Sequence, residues 1–362
     1  MINCTVEAVE KLFYKNEWRK IFYSFGNLRI SSDVPLNIDD YICDQPSSPW
    51  EILERDGITV YPSDAFLTSI INDPHALLDY PKDIFIIDKD SKSKASKVKC
   101  GIPLLTEKGA IKSANTECLK IGWEETLRAD EEYSWNRFFT DEGRDMSKVP
   151  SNSLIIIDRY LFAEFFRAKD NVCSILEEIL PRTFDDTYHI LFIADPSQFK
   201  KKSKDKQLLD TQFVATELYN AIMSVRRPYH IIVELLALQP IENYNWQRAT
   251  DREKAHFNIY NITHNRRIVS NTFVIRADHK LCAIKQWNGI QLSNTSQTIR
   301  FDANFSGVKE KKQKAHSLPI KVADDIISAL SVLPDNHFNI GRYFLDGVEG
   351  KSENIINRLL RR

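Results

Sequence analysis

The feature that most constrains the fold is the regular pattern between residues 151 and 238. SLIIIDRYLF (153–162), HILFIAD (189–195) and HIIVELLAL (230–238) are near-continuous apolar runs. Between them, Val172, Ile175, Leu176, Ile179 and Leu180 recur at helical spacing from Ala168 to Leu180. Leu209, Phe213, Leu218, Ile222 and Val225 do the same from Lys206 to Val225. Strands apolar on both faces and separated by amphipathic helices predict a parallel sheet covered on both sides. The tighter spacing from 257 to 305, with KLCAIKQ and TIRFDANF as strands, predicts antiparallel partners in that sheet. The expected fold class is therefore α/β, a mixed sheet sandwiched between helices, with an N-terminal α/β part.

In that N-terminal part, an opening amphipathic helix precedes a loop-rich passage containing Pro35, Pro46 and Pro49. Trp18 and Trp50 are expected to pack. A helix is predicted from Ala65 to Leu78, broken near Pro74, and Ile84-Phe85-Ile86-Ile87 reads as a buried strand closed by Asp88. Residues 88–99 and 130–149 are charged and irregular. Further on, helices are predicted over Ile320–Leu333 and, as a basic terminal helix, over Ser352–Arg362. The chain divides by this reading into residues 1–150 and 151–362.

Composition narrows the function classes. The chain is 43% hydrophobic, enough to bury cores, yet no apolar run approaches the roughly 20 residues of a membrane span, and the opening residues are unlike a signal peptide. Six cysteines stand scattered without a C-x-x-C pair, which argues against a zinc site or a disulfide framework and for a cytoplasmic setting. Phosphate loops of the G-x-x-x-x-G-K type, G-x-G-x-x-G and G-x-S-x-G are all absent, which disfavours nucleotide and serine hydrolases. The net charge of −1 conceals a split: from Lys200 onward there are 26 Lys and Arg against 16 Asp and Glu, and before it 23 against 34. The basic half carries Lys200, Lys201, Lys202, Lys204 and Lys206, then Arg226–Arg227, Arg266–Arg267 and Lys309–Lys314. Such a surface suits a nucleic acid or other polyanion, and equally suits solvated loops or docking on the acidic half of the same chain or of a sister subunit.

The chemistry concentrates in FNIYNITHNRRIVSNTFVIRA, residues 257–277. Alternation from Phe257 predicts a strand ending near His264, so that His264 and Arg266 share a face if extension continues. An imidazole can attack phosphorus or carry a proton, and a guanidinium grips two phosphate oxygens. The spacing His264, Arg266, Asn271 resembles the H-x-K-x-x-x-x-D signature of the phospholipase-D-like superfamily, with Arg for Lys and Asn for Asp. It is also similar to the phospholipase-D-like C-terminal domain of some microtubule-interacting-and-trafficking proteins, which binds rather than hydrolyses. The chain further resembles uncharacterised bacterial proteins associated with antiviral defence. The resemblance implies that His264 and Arg266 contact phosphate, that Asn271 supports His264, and that two motifs, here from a homodimer, are needed for turnover. Without the Lys and the Asp, binding is expected over hydrolysis. The same residues equally suit a strand end whose His264 and Arg266 are solvated or paired with Asp278 or Asp251.

Around this motif, Arg267, Lys200, Lys201, Lys202, Arg226 and Arg227 are expected to extend a binding surface. A rival site arises because three strand runs end in carboxylates, Asp88, Asp158 and Asp195. If these converge, their hard oxygens suit Mg²⁺ or Mn²⁺ and phosphodiester hydrolysis, although Asp is also common wherever a buried strand exits to solvent. Three functions thus stand open: a phosphate- or nucleic-acid-binding protein needing no cofactor, a nuclease, and a non-catalytic subunit of a protein complex.

Overall fold

The computed structural model describes residues 1–23, 27–32, 47–64, 74–87, 99–102, 104–106, 122–141, 146, 149–238, 264, 266–303, 318–331, 341–351 and 354–361. The chain begins with a strand, β1 (Ile2–Thr5), rather than directly with a helix. Helix α1 (Val6–Leu12) follows, its N-terminus capped by the Thr5 hydroxyl, which accepts from the Ala8 N–H. Then come α2 (Asn16–Phe22), β2 (Asn27–Ser32), α3 (Pro49–Arg55), β3 (Thr59–Asp64), β4 (Ile84–Ile87) and β5 (Leu104–Thr106). These five strands form an all-parallel sheet in the order β3-β2-β1-β4-β5. Trp18 and Trp50 are buried in its core, as expected. The predicted helix over 65–78 lies mostly outside the described residues, and its end, Pro74–Asp79, is a 3-10 turn.

The second sheet takes in β6 (Gly122–Leu127) before the helix α4 (Trp135–Thr140). It continues with β7 (Ser153–Ile157), α5 (Phe165–Ile179), β8 (Tyr188–Ala194), α6 (Thr211–Ser224) and β9 (Ile231–Leu238). Strands β10 (Arg267–Ser270) and β11 (Phe273–Ala277) form a hairpin, and β12 (Ile284–Trp287) with β13 (Ile290–Ser293) form a separate one. Strand β14 (Gln297–Ala303), helix α7 (Leu318–Ser331), β15 (Gly341–Leu345) and β16 (Val348–Gly350) complete the regular elements. The nine-stranded order is β16-β15-β9-β8-β7-β10-β11-β14-β6. At its centre β7, β8 and β9 are parallel, and every other described pairing in it is antiparallel. The protein is thus the mixed α/β fold expected. The strands of the first sheet end with β5 and those of the second begin with β6.

Alternation along the central strands explains the two layers. Leu154, Ile156, Ile190, Phe192, Val233, Leu235, Ile268 and Ile275 face the core shared with α4, α5 and α6. Ile155, Ile157, Leu191, Ile193, Leu236, Val269 and Val274 face α7 and Leu359 of the C-terminal segment. Several boundaries differ from the expectation, and three of them have a visible cause. The apolar run SLIIIDRYLF stops being a strand at Ile157, because the Asp158 carboxylate accepts the Tyr160 N–H and turns the chain into a 3-10 segment, Leu161–Glu164. Helix α6 starts at Thr211 instead of Lys206, where Asp210 accepts the Phe213 N–H. The terminal residues 354–361 hold one 3-10 turn, Arg358–Leu360, and no α-helix, because sheet side chains take up the backbone of Ile356.

Candidate functional site

Parallel strands β7, β8 and β9 all end at one edge of the sheet, and in open α/β sheets ligands bind beyond that edge. The residues just past β7 are Asp158, Arg159 and Tyr160. Asp158 is fully buried: Oδ1 accepts from the Tyr160 N–H at 2.9 Å and Oδ2 from the Leu281 N–H at 3.2 Å. Burial pushes its pKa up to about 6, against the pull of those two N–H donors, Arg266 and Lys280. Asp195, just past β8, is equally buried. It accepts from Arg159 Nε at 2.9 Å and caps the next turn through the Ser197 N–H at 2.9 Å. The two carboxylates thus stand on neighbouring strands and hold the loop that follows β7.

Tyr160 is the point of convergence. The Arg159 guanidinium lies 5.3 Å and the Arg266 guanidinium 5.8 Å from its ring centroid, and the His264 ring meets it edge-on at 6.4 Å. Antiparallel pairing of β10 with β7 brings the second motif here, since Arg267 lies opposite Ile157 and so sets Arg266 beside Asp158. Arg266 donates to the Asp278 carbonyl at 2.8 Å and its Nε sits 3.9 Å from Asp158 Oδ1. Desolvation, then Arg266 and Arg159, lower the pKa of His264, which favours the neutral imidazole, with one donor and one acceptor nitrogen. The arrangement sets an exposed imidazole and the largely buried Arg266 guanidinium against one aromatic ring, with the Arg159 guanidinium, buried and paired with Asp195, near the same ring.

The other predicted residues fall elsewhere. Asn271 lies at the turn between β10 and β11, beyond the far end of β10 from Arg266, an offset of about 16 Å along an extended chain. It does not support His264. Its side chain instead accepts the Asn152 N–H at 3.1 Å and donates to the Gly101 carbonyl at 2.9 Å. Arg267 points to the opposite face from Arg266, the α7 face of Val269, where its pKa is lowered by burial and Arg276 and raised by Asp325 of α7. Arg226 and Arg227 precede β9 and lie at the amino edge of the sheet, roughly 25 Å away along that strand. Only the lysine run shares the edge with Arg266. Lys200 exchanges backbone hydrogen bonds with Phe162 and Phe165, and Lys201, Lys202, Lys204 and Lys206 are exposed beyond it. The predicted strand 257–263 and the basic run Lys309–Lys314 lie outside the described residues, as does Asp88.

For the metal reading, Asp158 and Asp195 meet the adjacency it needs. Their carboxylate oxygens are nevertheless all engaged by N–H donors, and an arginine stands against each, which makes a poor fit to a hydrated divalent cation. Among the described residues no group of three His, Cys, Asp or Glu side chains is arranged to hold a metal ion. Sequence reasoning missed Arg159 and Tyr160. Their signal was a charged pair and an aromatic immediately after an apolar run, concealed by reading that run as strand through Phe162. No family model matches the chain, and none of the curated proteins compared with it shows significant similarity. Among the described residues no helix is long and apolar enough to cross a membrane.

Proposed function

We propose that this protein binds the phosphate groups of a nucleic acid or comparable polyanion through His264 and Arg266, set against Tyr160. The observation that carries the reading is their convergence on Tyr160 at the carboxyl edge of β7. Arg266 and His264 supply donors for phosphate oxygens, Arg159, buried and paired with Asp195, packs near the Tyr160 ring, and the exposed lysines beyond β8 draw a polyanion to this edge. Binding is favoured over turnover. The cations Arg266 and Arg159 oppose protonation of His264, as the imidazolium of an acid–base step would require, and Asn271 is remote.

Labelled RNA and DNA titrated at two salt concentrations test the reading. Affinity is expected to fall steeply with salt, and Arg266→Ala to weaken binding by about ten-fold or more, the scale of one charge-assisted hydrogen bond. Arg267→Ala, on the other face, is expected to have a much smaller effect. Unchanged affinity in Arg266→Ala removes the site. Cleavage of either nucleic acid that EDTA abolishes moves the function to the carboxylates, whereas EDTA-resistant cleavage lost in His264→Ala makes the motif catalytic.

A further inference from the structure

Arg266 already faces an anion of the protein's own. Its Nε lies 3.9 Å from Asp158 Oδ1, too far for a hydrogen bond, and that buried Nε donates to no described residue. The cause is that Asp158 is fully engaged: Oδ1 accepts the Tyr160 N–H and Oδ2 the Leu281 N–H. The two groups are thus coupled by charge alone. Among the described residues a single hydrogen bond, from Nη1 to the Asp278 carbonyl at 2.8 Å, holds the guanidinium in place. Asp158 is fully buried and the Arg266 side chain 16% exposed, so solvent ions screen the coupling little. The other charged and titratable groups around Asp158 are matched elsewhere or neutral. Arg159 pairs with Asp195 at 2.9 Å, Lys280 stands 3.8 Å from Glu164, and burial pushes the Cys282 thiol up to about 12. His264 meets the Tyr160 ring, and the charges that act on it are those of Arg266 and Arg159.

An anion bound to Arg266 offsets part of the attraction that keeps Asp158 ionised and adds a repulsion of its own. The carboxylate therefore gains affinity for a proton as the anion arrives. The reverse holds by linkage: a proton on Asp158 frees Arg266 from its internal counter-charge and strengthens the hold on the anion by the same factor. We infer that Asp158 is the positioning residue and proton switch of the His264–Arg266 site, so that anion binding there is coupled to proton uptake at this buried carboxylate. The inference rests on the phosphate-binding reading above and specifies how that site is regulated. Its working range lies just below neutrality. Burial brings Asp158 up to about 6 in the unliganded protein, against its two N–H donors, Arg266 and Lys280, and a bound anion moves it higher.

The test uses the full chain with labelled oligothymidine and labelled dextran sulfate, two polyanions whose own charge is constant between pH 5.5 and pH 8, read by fluorescence anisotropy. Wild-type affinity is expected to rise on acidification. Asp158→Asn is expected to bind about ten-fold more tightly than wild type at pH 8 and equally at pH 5.5. His264→Gln, weaker throughout, is expected to keep the pH dependence, which separates the carboxylate from the imidazole. Because an amide at position 158 matches only one of the two N–H donors, calorimetry on the unaltered protein supplies a second readout. Binding at pH 6.5 in two buffers of different ionisation heat is expected to show net proton uptake, retained in His264→Gln. If wild-type affinity is constant with pH, if Asp158→Asn follows the wild-type profile, or if uptake disappears in His264→Gln, the switch is overturned and the phosphate site stands. If neither polyanion binds at any pH, the phosphate site fails and the switch with it.

Discussion

Asn271 illustrates how a residue that fits a catalytic spacing can owe its place to architecture. Gly101 has φ +68°, and a Cβ there would lie 2.0 Å from the Ser151 carbonyl oxygen, so the chain between β4 and β5 presses directly on the amino end of β7. Asn271 binds both strands of that contact, the Gly101 carbonyl and the Asn152 N–H, and is itself buried. Asn271→Ala leaves two inward-facing backbone groups without a partner. The expected loss is about 1–3 kcal/mol in denaturant unfolding, with nucleic-acid affinity unchanged per folded molecule. Loss of binding at full stability would instead return Asn271 to the phosphate site. His264 and Arg266 were legible because period-two spacing puts both on one side of a single segment. Asn271 was not, because a hairpin turn lies between the two roles and only the pairing of β10 with β7 decides which end faces the ligand.

At the scale of elements, the C-terminal segment replaces a helix's internal hydrogen bonds with bonds to buried side chains. Ile356 donates its N–H to Glu234 at 2.7 Å, and its carbonyl lies 3.0 Å from His189 Nδ1. Tyr343 also donates to Glu234, and Arg358 reaches the Thr187 carbonyl and Asp186. No periodicity reveals this. Asn357 and Arg358 read as helix surface until Leu154 of β7 and Thr187, just ahead of β8, are seen to supply their partners. Burial, with Asp346 adding to it, pushes Glu234 up to about 7 despite its Ile356 and Tyr343 donors. Burial, then Arg358 and Arg361, push His189 down to about 4. The stability Glu234 lends is complete below its unfolded pKa and lost as pH rises toward 7. That of His189 is complete above its unfolded pKa and lost as pH falls toward 4. The two displacements oppose each other, each worth roughly 3 kcal/mol. Single substitutions should unmask them. Relative to wild type, Glu234→Gln is expected to lose about 2 kcal/mol more at pH 5 than at pH 8, and His189→Asn about 2 kcal/mol more at pH 8 than at pH 5. Parallel pH profiles for both variants in denaturant titrations would refute the pairing.

The whole molecule turns on how its two sheets are joined. The first has the strand order 3-2-1-4-5, an arrangement that no local pattern announces because it depends on which strands meet across long crossovers. What was legible was β4 itself. Four consecutive apolar residues, Ile84 to Ile87, signal burial on both faces, and the structure shows why. Ile84 and Ile86 belong to the first sheet's core, whereas Phe85 belongs to the core of the nine-stranded sheet, together with Leu77, Leu78, Cys100 and Ile102. The seam is reinforced from the other side by Lys82, which pairs with Asp324 of α7 at 2.8 Å, and by Ile320 of the same helix, which packs on the first core. Two lobes that share side chains this way cannot lose one core without exposing the other. Thermal unfolding is therefore expected to show a single calorimetric transition, with calorimetric and van't Hoff enthalpies equal. Phe85→Ala is expected to destabilise that transition by about 3–5 kcal/mol without splitting it, since the ring is fully buried and its removal leaves a cavity between the lobes. Two resolved transitions in the wild type, or a variant in which only the first sheet melts early, would mean that the lobes fold independently and that Phe85 is merely a core residue of one of them.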